Sequence, residues 1–155
     1  ACASISAALD DLTSGRTPFA AVSIDSLYDT EWLYSMIHNK PVYVNSITRT
    51  PKGPMIVLLS RHLVNRAEVP IVSVVFSTAA YEHGSLAQAI SVLSDNQLNI
   101  EYLRLKKHPT ESDPDGLLIF LDFYGNLLDV ATRASIFQMQ SELPFFRLFG
   151  YRERV

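Results

Sequence analysis

The segment between residues 70 and 151 constrains the fold more than any other part of the chain, because its apolar pattern changes type in a regular order. Runs typical of strands alternate with runs at helical spacing. In chain order these runs are IVSVVFST, SLAQAISVLSDNQ, NIEYLRLKK, LLIFLDFY, NLLDVATRASIFQMQSEL and PFFRLFGY. The order strand-helix-strand-strand-helix-strand predicts a ferredoxin-like α+β domain, in which both helices cover one face of a four-stranded antiparallel sheet.

Three local details follow from the same segment. Leu103 and Leu105 alternate with Arg104 and Lys106, which predicts a strand with one apolar face and one charged face. The run LLIFLDFY is apolar enough to be a central strand. Asn126 is expected to cap the second helix.

Residues 1–69 have a mixed α/β pattern. PFAAVSID, KPVYVNSI and GPMIVLLSR are typical of strands, whereas TRTPKGP is expected to be a loop because it contains two prolines and a glycine. DTEWLYSMIHNK is expected to be a helix capped by Asp29, with Trp32, Leu33, Met36 and Ile37 on one face. The polar segment HLVNRAEVP resembles a linker, so we predict two domains, at residues 1–69 and 70–155.

Composition and charge exclude several classes of function. The 155 residues include 16 acidic and 13 basic side chains, and the net charge of −3 gives no basic surface for nucleic acid. The apolar runs are too short to span a membrane, and the first residues do not form a signal peptide.

Cys2 has no partner for an intramolecular disulfide, which favours the cytoplasm or an organelle stroma. The four histidines show no metal-ligand spacing, and we expect neither a metal nor a cofactor.

The predicted sheet raises the question of what covers its second face. Helices on one face leave the other face and the edges open. The domain is also rich in phenylalanine, with Phe76, Phe120, Phe145, Phe146 and Phe149. We expect a homodimer to cover this apolar surface.

Gly84 lies directly before the helix that begins SLAQAI. A glycine at this position allows a ligand to approach the backbone closely, and the N–H groups of the first helical turn can bind a carboxylate. An amino acid would suit such a site. The alternative is that Gly84 only permits a turn and Ser85 caps the helix, and the spacing leaves both interpretations open.

The stretches VVFSTAAYEHGSLAQAISVLSDNQLNIEYLRLKKHP and LLIFLDFYGNLLDVATRASIFQMQSELPFFRLFGYR resemble the ACT regulatory domain at the C-terminus of prephenate dehydratases, which is related to that of phenylalanine hydroxylase. The segment SISAALDDLTSGRTPFAAVSIDSLYDTEWLYSMI is similar to the part of the dehydratase domain that leads into the ACT domain. The resemblance implies a partial α/β segment of the periplasmic-binding-protein type over residues 1–69, followed by an ACT domain over residues 70–155.

Within this resemblance, the family binds phenylalanine between two subunits, at a Gly-Ala-Leu motif where the first helix begins. Gly84, Ser85 and Leu86 correspond to that motif, and Asn99 corresponds to the asparagine of an Ile-Asn-Leu motif. Two preceding loop residues would line the mouth of the site. The implied ligand site is therefore Glu82, His83, Gly84, Ser85, Leu86 and Asn99. The family's Glu-Ser-Arg-Pro motif is replaced by Arg-Leu-Lys-Lys at residues 104–107, so a different ligand, or none, is also open.

The catalytic Thr-Arg-Phe motif of the family is replaced by Gly-Pro-Met at residues 53–55. Thr48 and Arg49 form a near copy a few residues earlier, but Pro51 breaks the strand there. Dehydration of prephenate needs an acid near the leaving hydroxyl and cations for two carboxylates. Much of that machinery belongs to an N-terminal half of the family that has no counterpart in this sequence. No catalytic residue is assigned, and Thr48 and Arg49 are the remaining candidates.

Three hypotheses follow. The chain is an amino-acid sensor that dimerises through its ACT domain and acts on a catalytic partner chain, with L-phenylalanine as the first candidate ligand. Alternatively, it is a subunit or fragment of an active prephenate dehydratase. In the third hypothesis the ligand site has decayed, and the domain only dimerises.

Overall fold

A computed structural model of the chain describes residues 4–28, 41–63, 68–78 and 84–155. The chain divides into two compact units. Unit 1 contains Ala1–Glu68 and Gly150–Val155, and unit 2 contains Val69–Phe149. The division after Glu68 falls in the segment that the sequence indicates as a linker. The return of the last residues to unit 1 was not predicted from the sequence.

Unit 1 begins with helix α1, Ile5–Ser14, which leads into strand β1, Phe19–Ser23, and the short helix α2, Ile24–Tyr28. The hydroxyl of Ser4 caps α1 by accepting the N–H of Ala7 at 3.2 Å. Gly15 ends the helix at φ 83°, a left-handed conformation that glycine adopts without a steric penalty.

The remaining strands of unit 1 are β2, Tyr43–Arg49, and β3, Met55–Ser60. Strand β3 pairs antiparallel with both β1 and β2. Strand β2 also pairs parallel with the last strand of the chain, through Val44 and Gly150. Thr48 and Arg49 are thus part of β2, and only the residues from Thr50 onward form the loop that was predicted to begin at Thr48.

Unit 2 follows the predicted order of elements. Its members are β4 (Pro70–Ser77), α3 (Ser85–Asp95), β5 (Ile100–Lys107), β6 (Leu117–Tyr124), α4 (Val130–Glu142) and β7 (Phe145–Glu153), of which β7 ends in unit 1. Strand β6 pairs antiparallel with β4 and with β5. The seven strands of the described chain have the order β1-β3-β2-β7-β4-β6-β5. The α+β class and the β-α-β-β-α-β order of residues 70–151 are confirmed.

Both faces of the central strands of unit 2 are buried, in contrast to the predicted open face. Every residue from Ile71 to Phe76 and from Leu118 to Phe123 is buried, although successive side chains point to opposite faces. Four of the five phenylalanines assigned to a dimer interface are also buried within the chain, and Phe145 is half-buried. The rings of Phe120 and Phe149 pack edge to face at 6.1 Å. The four buried phenylalanines belong to the core.

Leu105 of β5 is 47% exposed, and β5 is an edge strand among the described strands. One local prediction for unit 2 is wrong. Helix α4 begins at Val130 with Asp129 as its N-cap. The Asn126 side chain instead accepts the N–H of Leu128 at 2.9 Å, which closes the turn before the helix.

The helix predicted around Trp32 and Met36, with Asp29 as its cap, lies outside the described residues. Among the helices that the structure describes, none combines the length and the apolar character needed to cross a bilayer.

Candidate functional site

The start of helix α3 is an open helix N-terminus. Gly84 is the N-cap residue at φ 83°, and no side chain of the described residues caps the helix by a hydrogen bond. Its carbonyl accepts the first intrahelical hydrogen bond, from the N–H of Gln88 at 2.9 Å. The N–H groups of Leu86 and Ala87 have no partner within the helix. Ser85 is the first helical residue, so the interpretation in which Ser85 caps the helix is wrong.

A cavity of about 200 Å³ lies beside this N-terminus, and we refer to it as the α3 cavity. It is lined by Thr78, Ser85, Gln88, Ala89, Val92, Met139, Glu142, Leu143 and Pro144. All of these residues belong to unit 2. The cavity therefore lies where the end of β4, the first turns of α3 and the end of α4 meet.

The structure brings one of the six predicted ligand residues, Ser85, into the wall of this cavity. Gly84 directly precedes it and is exposed, whereas the half-buried Leu86 does not line the cavity. Asn99 is exposed, and its carbonyl accepts the Tyr124 N–H at 2.9 Å, which joins the start of β5 to β6. Glu82 and His83 lie outside the described residues.

Sequence reasoning missed the contribution of helix α4 to this site. Glu142 is exposed at the end of α4, and its carboxylate accepts a hydrogen bond from the side chain of Gln138 at 3.0 Å. Leu143 ends the helix by donating its N–H to the carbonyl of Met139. The predicted topology contained the necessary signal, because β-α-β-β-α-β order places the end of the second helix beside the start of the first.

The α3 cavity thus has two poles of opposite character. At one pole the N-terminus of α3 presents N–H groups and a partial positive charge, which favour an anion. At the other pole the C-terminus of α4 and the Glu142 carboxylate favour a cation. Apolar side chains, including Val92 and Met139, also line the cavity. The arrangement suits a small molecule with one anionic group, one cationic group and an apolar part.

The candidate catalytic residues Thr48 and Arg49 are exposed at the end of β2. They pair with Ile56 and Met55 of β3, and β2 ends at Arg49, as expected from Pro51. Neither residue lines the α3 cavity or the cavity of unit 1 described next.

A larger cavity, of about 500 Å³, lies between α1 and β1 in unit 1. It is lined by Ser4, Ile5, Ala8, Asp11, Thr17, Phe19, Ala20, Ala21, Val22, Ser23 and Ser26. Its polar groups are four hydroxyls and the carboxylate of Asp11, which accepts a hydrogen bond from Arg16 Nε at 2.6 Å. None of these described lining residues is a lysine, arginine or histidine, so this wall supplies no cation for a dicarboxylate substrate.

The described ranges contain no group of three or more metal-ligating side chains. Among titratable groups, burial lowers the pKa of His108 from its usual value, and the positive charge of Lys106 lowers it further. His108 lies at the end of β5, where its backbone N–H donates to the Gly116 carbonyl at 2.7 Å. It therefore belongs to the turn before β6 and not to the α3 cavity.

Models of known protein families give no match to this chain, and no curated protein matches its sequence significantly. Similar solved structures do exist. GqqA, described as a novel type of quorum quenching acylase, has 13% sequence identity and a TM-score of 0.78 over 99% of this chain and 81% of that one. Prephenate dehydratase from Arthrobacter aurescens, in complex with L-Phe, has 13% identity and a TM-score of 0.76 over 99% of this chain and 80% of that one.

A third similar structure is the prephenate dehydratase from Streptococcus mutans. It has 12% identity and a TM-score of 0.70, over 96% of this chain and 81% of that one. At this level of identity the likeness establishes the fold. The resemblance that the sequence suggested is confirmed to that extent, and the chain has the fold of the prephenate dehydratases of known structure over nearly its whole length.

Proposed function

We propose that this chain is the amino-acid-sensing regulatory part of a prephenate dehydratase-type protein, and that unit 2 binds an aromatic amino acid in the α3 cavity. The observation that carries the proposal is the pairing of the open N-terminus of α3 with the Glu142 carboxylate in one cavity. A free amino acid has a carboxylate for the first and an ammonium for the second.

The apolar lining and the fold support an aromatic side chain on this amino acid. Val92 and Met139 are buried in the cavity wall, and Leu143 and Pro144 add to its apolar surface. One protein of the same fold was solved in complex with L-Phe, which makes L-phenylalanine the first ligand to test. The volume of about 200 Å³ is below the usual range of about 300–1,000 Å³ for ligand pockets, so it favours a single amino acid over a peptide.

A homodimer formed through the edge of unit 2 is the second part of the proposal. Strand β5 exposes Ile100 by 39%, Tyr102 by 44% and Leu105 by 47%. An edge strand with exposed apolar side chains is a surface that a second copy can cover. The buried phenylalanines no longer support this dimer, and the β5 edge replaces them as its basis.

Catalysis is assigned to a partner chain or to a further part of the protein. The described wall of the unit 1 cavity has no basic side chain, and Thr48 and Arg49 lie outside both cavities. The prephenate dehydratase activity of this chain alone is therefore not proposed. Binding of the amino acid would act on the catalytic partner by favouring one arrangement of the dimer over another.

Isothermal titration calorimetry of the full chain tests the binding proposal. L-Phenylalanine, L-tyrosine and L-tryptophan are titrated, together with N-acetyl-L-phenylalanine and phenethylamine as controls. The first control lacks the ammonium and the second lacks the carboxylate, so both should bind at least tenfold more weakly than L-phenylalanine if the two poles act as described. Equal binding of all compounds, or binding of none, would contradict the proposal.

A further inference from the structure

Helix α4 carries the most exposed large apolar side chains of the described chain. Leu128, just before the helix, is 69% exposed, Val130 is 75% exposed and Phe137 is 72% exposed. The face of α4 that is buried within the chain contains the small polar residues Thr132 and Ser135 together with Met139. The helix thus exposes large apolar side chains while it buries two hydroxyls, the reverse of the pattern of a solvent-facing helix.

The exposed residues lie on one stripe of the helix. Val130, Ala134, Phe137 and Ser141 are all exposed and follow one another at intervals of four, three and four residues. This is the spacing of the core positions of a coiled coil, which keeps side chains on one face along the helix. We call these four residues the outer stripe of α4.

We propose that the outer stripe of α4 is a self-association surface, which packs antiparallel against the outer stripe of a second copy about a two-fold axis. The stripe alternates large and small residues. An antiparallel copy places Phe137 against the partner's Ala134 and Val130 against the partner's Ser141. Each large side chain of one copy then meets a small side chain of the other copy, as knobs-into-holes packing requires.

The charges beside the stripe are compatible with this pairing. The positions that flank its core on the helix are Ala131, Arg133, Gln138 and Gln140. An antiparallel pair sets Arg133 of one copy near Gln140 of the other, so a cation faces an amide and no like charges meet. The acidic residues Asp129 and Glu142 lie outside these flanking positions, and Glu142 stays available to the α3 cavity.

The area of the stripe sets the strength of the association. A fully buried phenylalanine removes about 150–250 Å² from water, and the other exposed apolar side chains of this surface are smaller. The contact is therefore below the ~1,600 Å² of a standard stable interface. We expect reversible association that depends on protein concentration. The surface is separate from the β5 edge, so the two contacts together would link dimers into larger assemblies.

Sedimentation equilibrium of the full chain, from about 10 μM to about 1 mM, tests the proposal. The weight-average mass of the wild type should rise with concentration. The variants Phe137→Ser and Ala134→Glu should raise the apparent dissociation constant of this step at least tenfold. The control Val155→Ser removes an apolar side chain that is 52% exposed elsewhere in the chain and should leave association unchanged.

The arrangement of the helices is tested by cross-linking in a Cys2→Ser background. Antiparallel copies bring position 138 of each chain close to the pair's two-fold axis, whereas position 129 lies about 20 Å from its copy along the helix axes. A thiol cross-linker of about 10 Å, similar to the 8–10 Å between packed helices, should join Gln138→Cys and not Asp129→Cys. A parallel pair would instead set both positions level with their copies along the helix axes.

Three results would overturn the proposal: a wild-type mass that is constant over the whole concentration range, association that neither stripe variant weakens, or cross-linking at position 129. If circular dichroism shows that Phe137→Ser does not fold, the proposal is judged on Ala134→Glu alone. That variant should fold, because position 134 is exposed and glutamate is a good helix former. Association that is lost in the β5 variant Tyr102→Ser, but kept in both stripe variants, also counts against the stripe.

Discussion

Ser85 and Glu142 line the same cavity, although one begins the first helix of unit 2 and the other ends the second. The two helices therefore present opposite dipole ends to one small volume. This relationship gives the proposed site its polarity, and the predictions for binding depend on it.

Replacing Glu142 with glutamine should weaken L-phenylalanine binding at least tenfold, a loss of about 1.4 kcal/mol, because the amide cannot neutralise the ammonium. Glutamine keeps the size of the side chain and its acceptor for Gln138. Calorimetric titration measures the change. Glu111→Gln is the matched control, since Glu111 is exposed in the turn between β5 and β6 and does not line the α3 cavity. Equal loss in both variants would indicate a general charge effect.

Gly84→Ala should destabilise the protein by about 1–2 kcal/mol, because Gly84 has a φ of 83° and a side chain is strained in the left-handed region. Gly84→Asn should be milder, since asparagine tolerates this region better. The space around a new Cβ is open, so the cost is conformational and not a clash. Urea denaturation compares the two variants. An alanine variant as stable as the wild type would contradict the assigned backbone conformation.

The same geometry limits what larger substitutions at Gly84 can report. Gly84→Val would block a ligand from the backbone and would also strain the helix start. Loss of binding in that variant has two causes, so the asparagine variant, with its stability measured in parallel, is the better probe of the site.

Thr132→Val should stabilise the protein by about 1 kcal/mol. Thr132 is fully buried in α4, and its hydroxyl has no hydrogen-bond partner in the described structure. Valine has nearly the same shape without the polar atom. Thermal unfolding measures the change, and Thr110→Val serves as the control. The Thr110 hydroxyl accepts the N–H of Asp113 at 3.0 Å, so its removal should destabilise the protein.

The stability of the protein should fall as the pH is lowered below the usual histidine pKa, through His108. Burial and Lys106 lower the pKa of His108 in the folded chain, so the unfolded chain binds a proton more readily. The contribution of neutral His108 to the stability of the protein is retained above the pKa that His108 has in the unfolded chain, and it is lost as the pH falls below that pKa. His108→Gln should reduce this slope in urea titrations at several pH values. In NMR titrations Lys106→Gln should raise the His108 pKa, and an unchanged pKa would contradict the assigned charge effect.

The order of elements in unit 2 could be predicted because strand and helix periods alternate cleanly between Pro70 and Tyr151. The environment of each element could not be predicted as well. Periodicity describes which side chains share a face, but it does not reveal whether that face is covered. Phe149 therefore looked like part of an interface although it is buried.

The sequence indicated only the part of the candidate site that depends on local signals. Gly84 and Ser85 could be recognised from the turn before an apolar helix, which is a local signal. Glu142 is distant from Ser85 in the sequence, and the polar residues around it at the end of α4 give no signal of a site. Only the packing of the two helices places both residues in the wall of one cavity. Tertiary proximity of this kind leaves no local trace in a single sequence, and only the predicted β-α-β-β-α-β order could have indicated it.

The return of the chain to unit 1 at Gly150 has a consequence for how the gene can be divided. A polypeptide that stopped after Glu68 would contain β2 without Gly150, the residue that pairs with its Val44. The edge of β2 would be left with open hydrogen-bonding groups, which promote aggregation. A chain divided after Glu68 should therefore give an N-terminal piece that folds only while the piece carrying Gly150 is present, because β7 also supplies Phe149 to the core of unit 2.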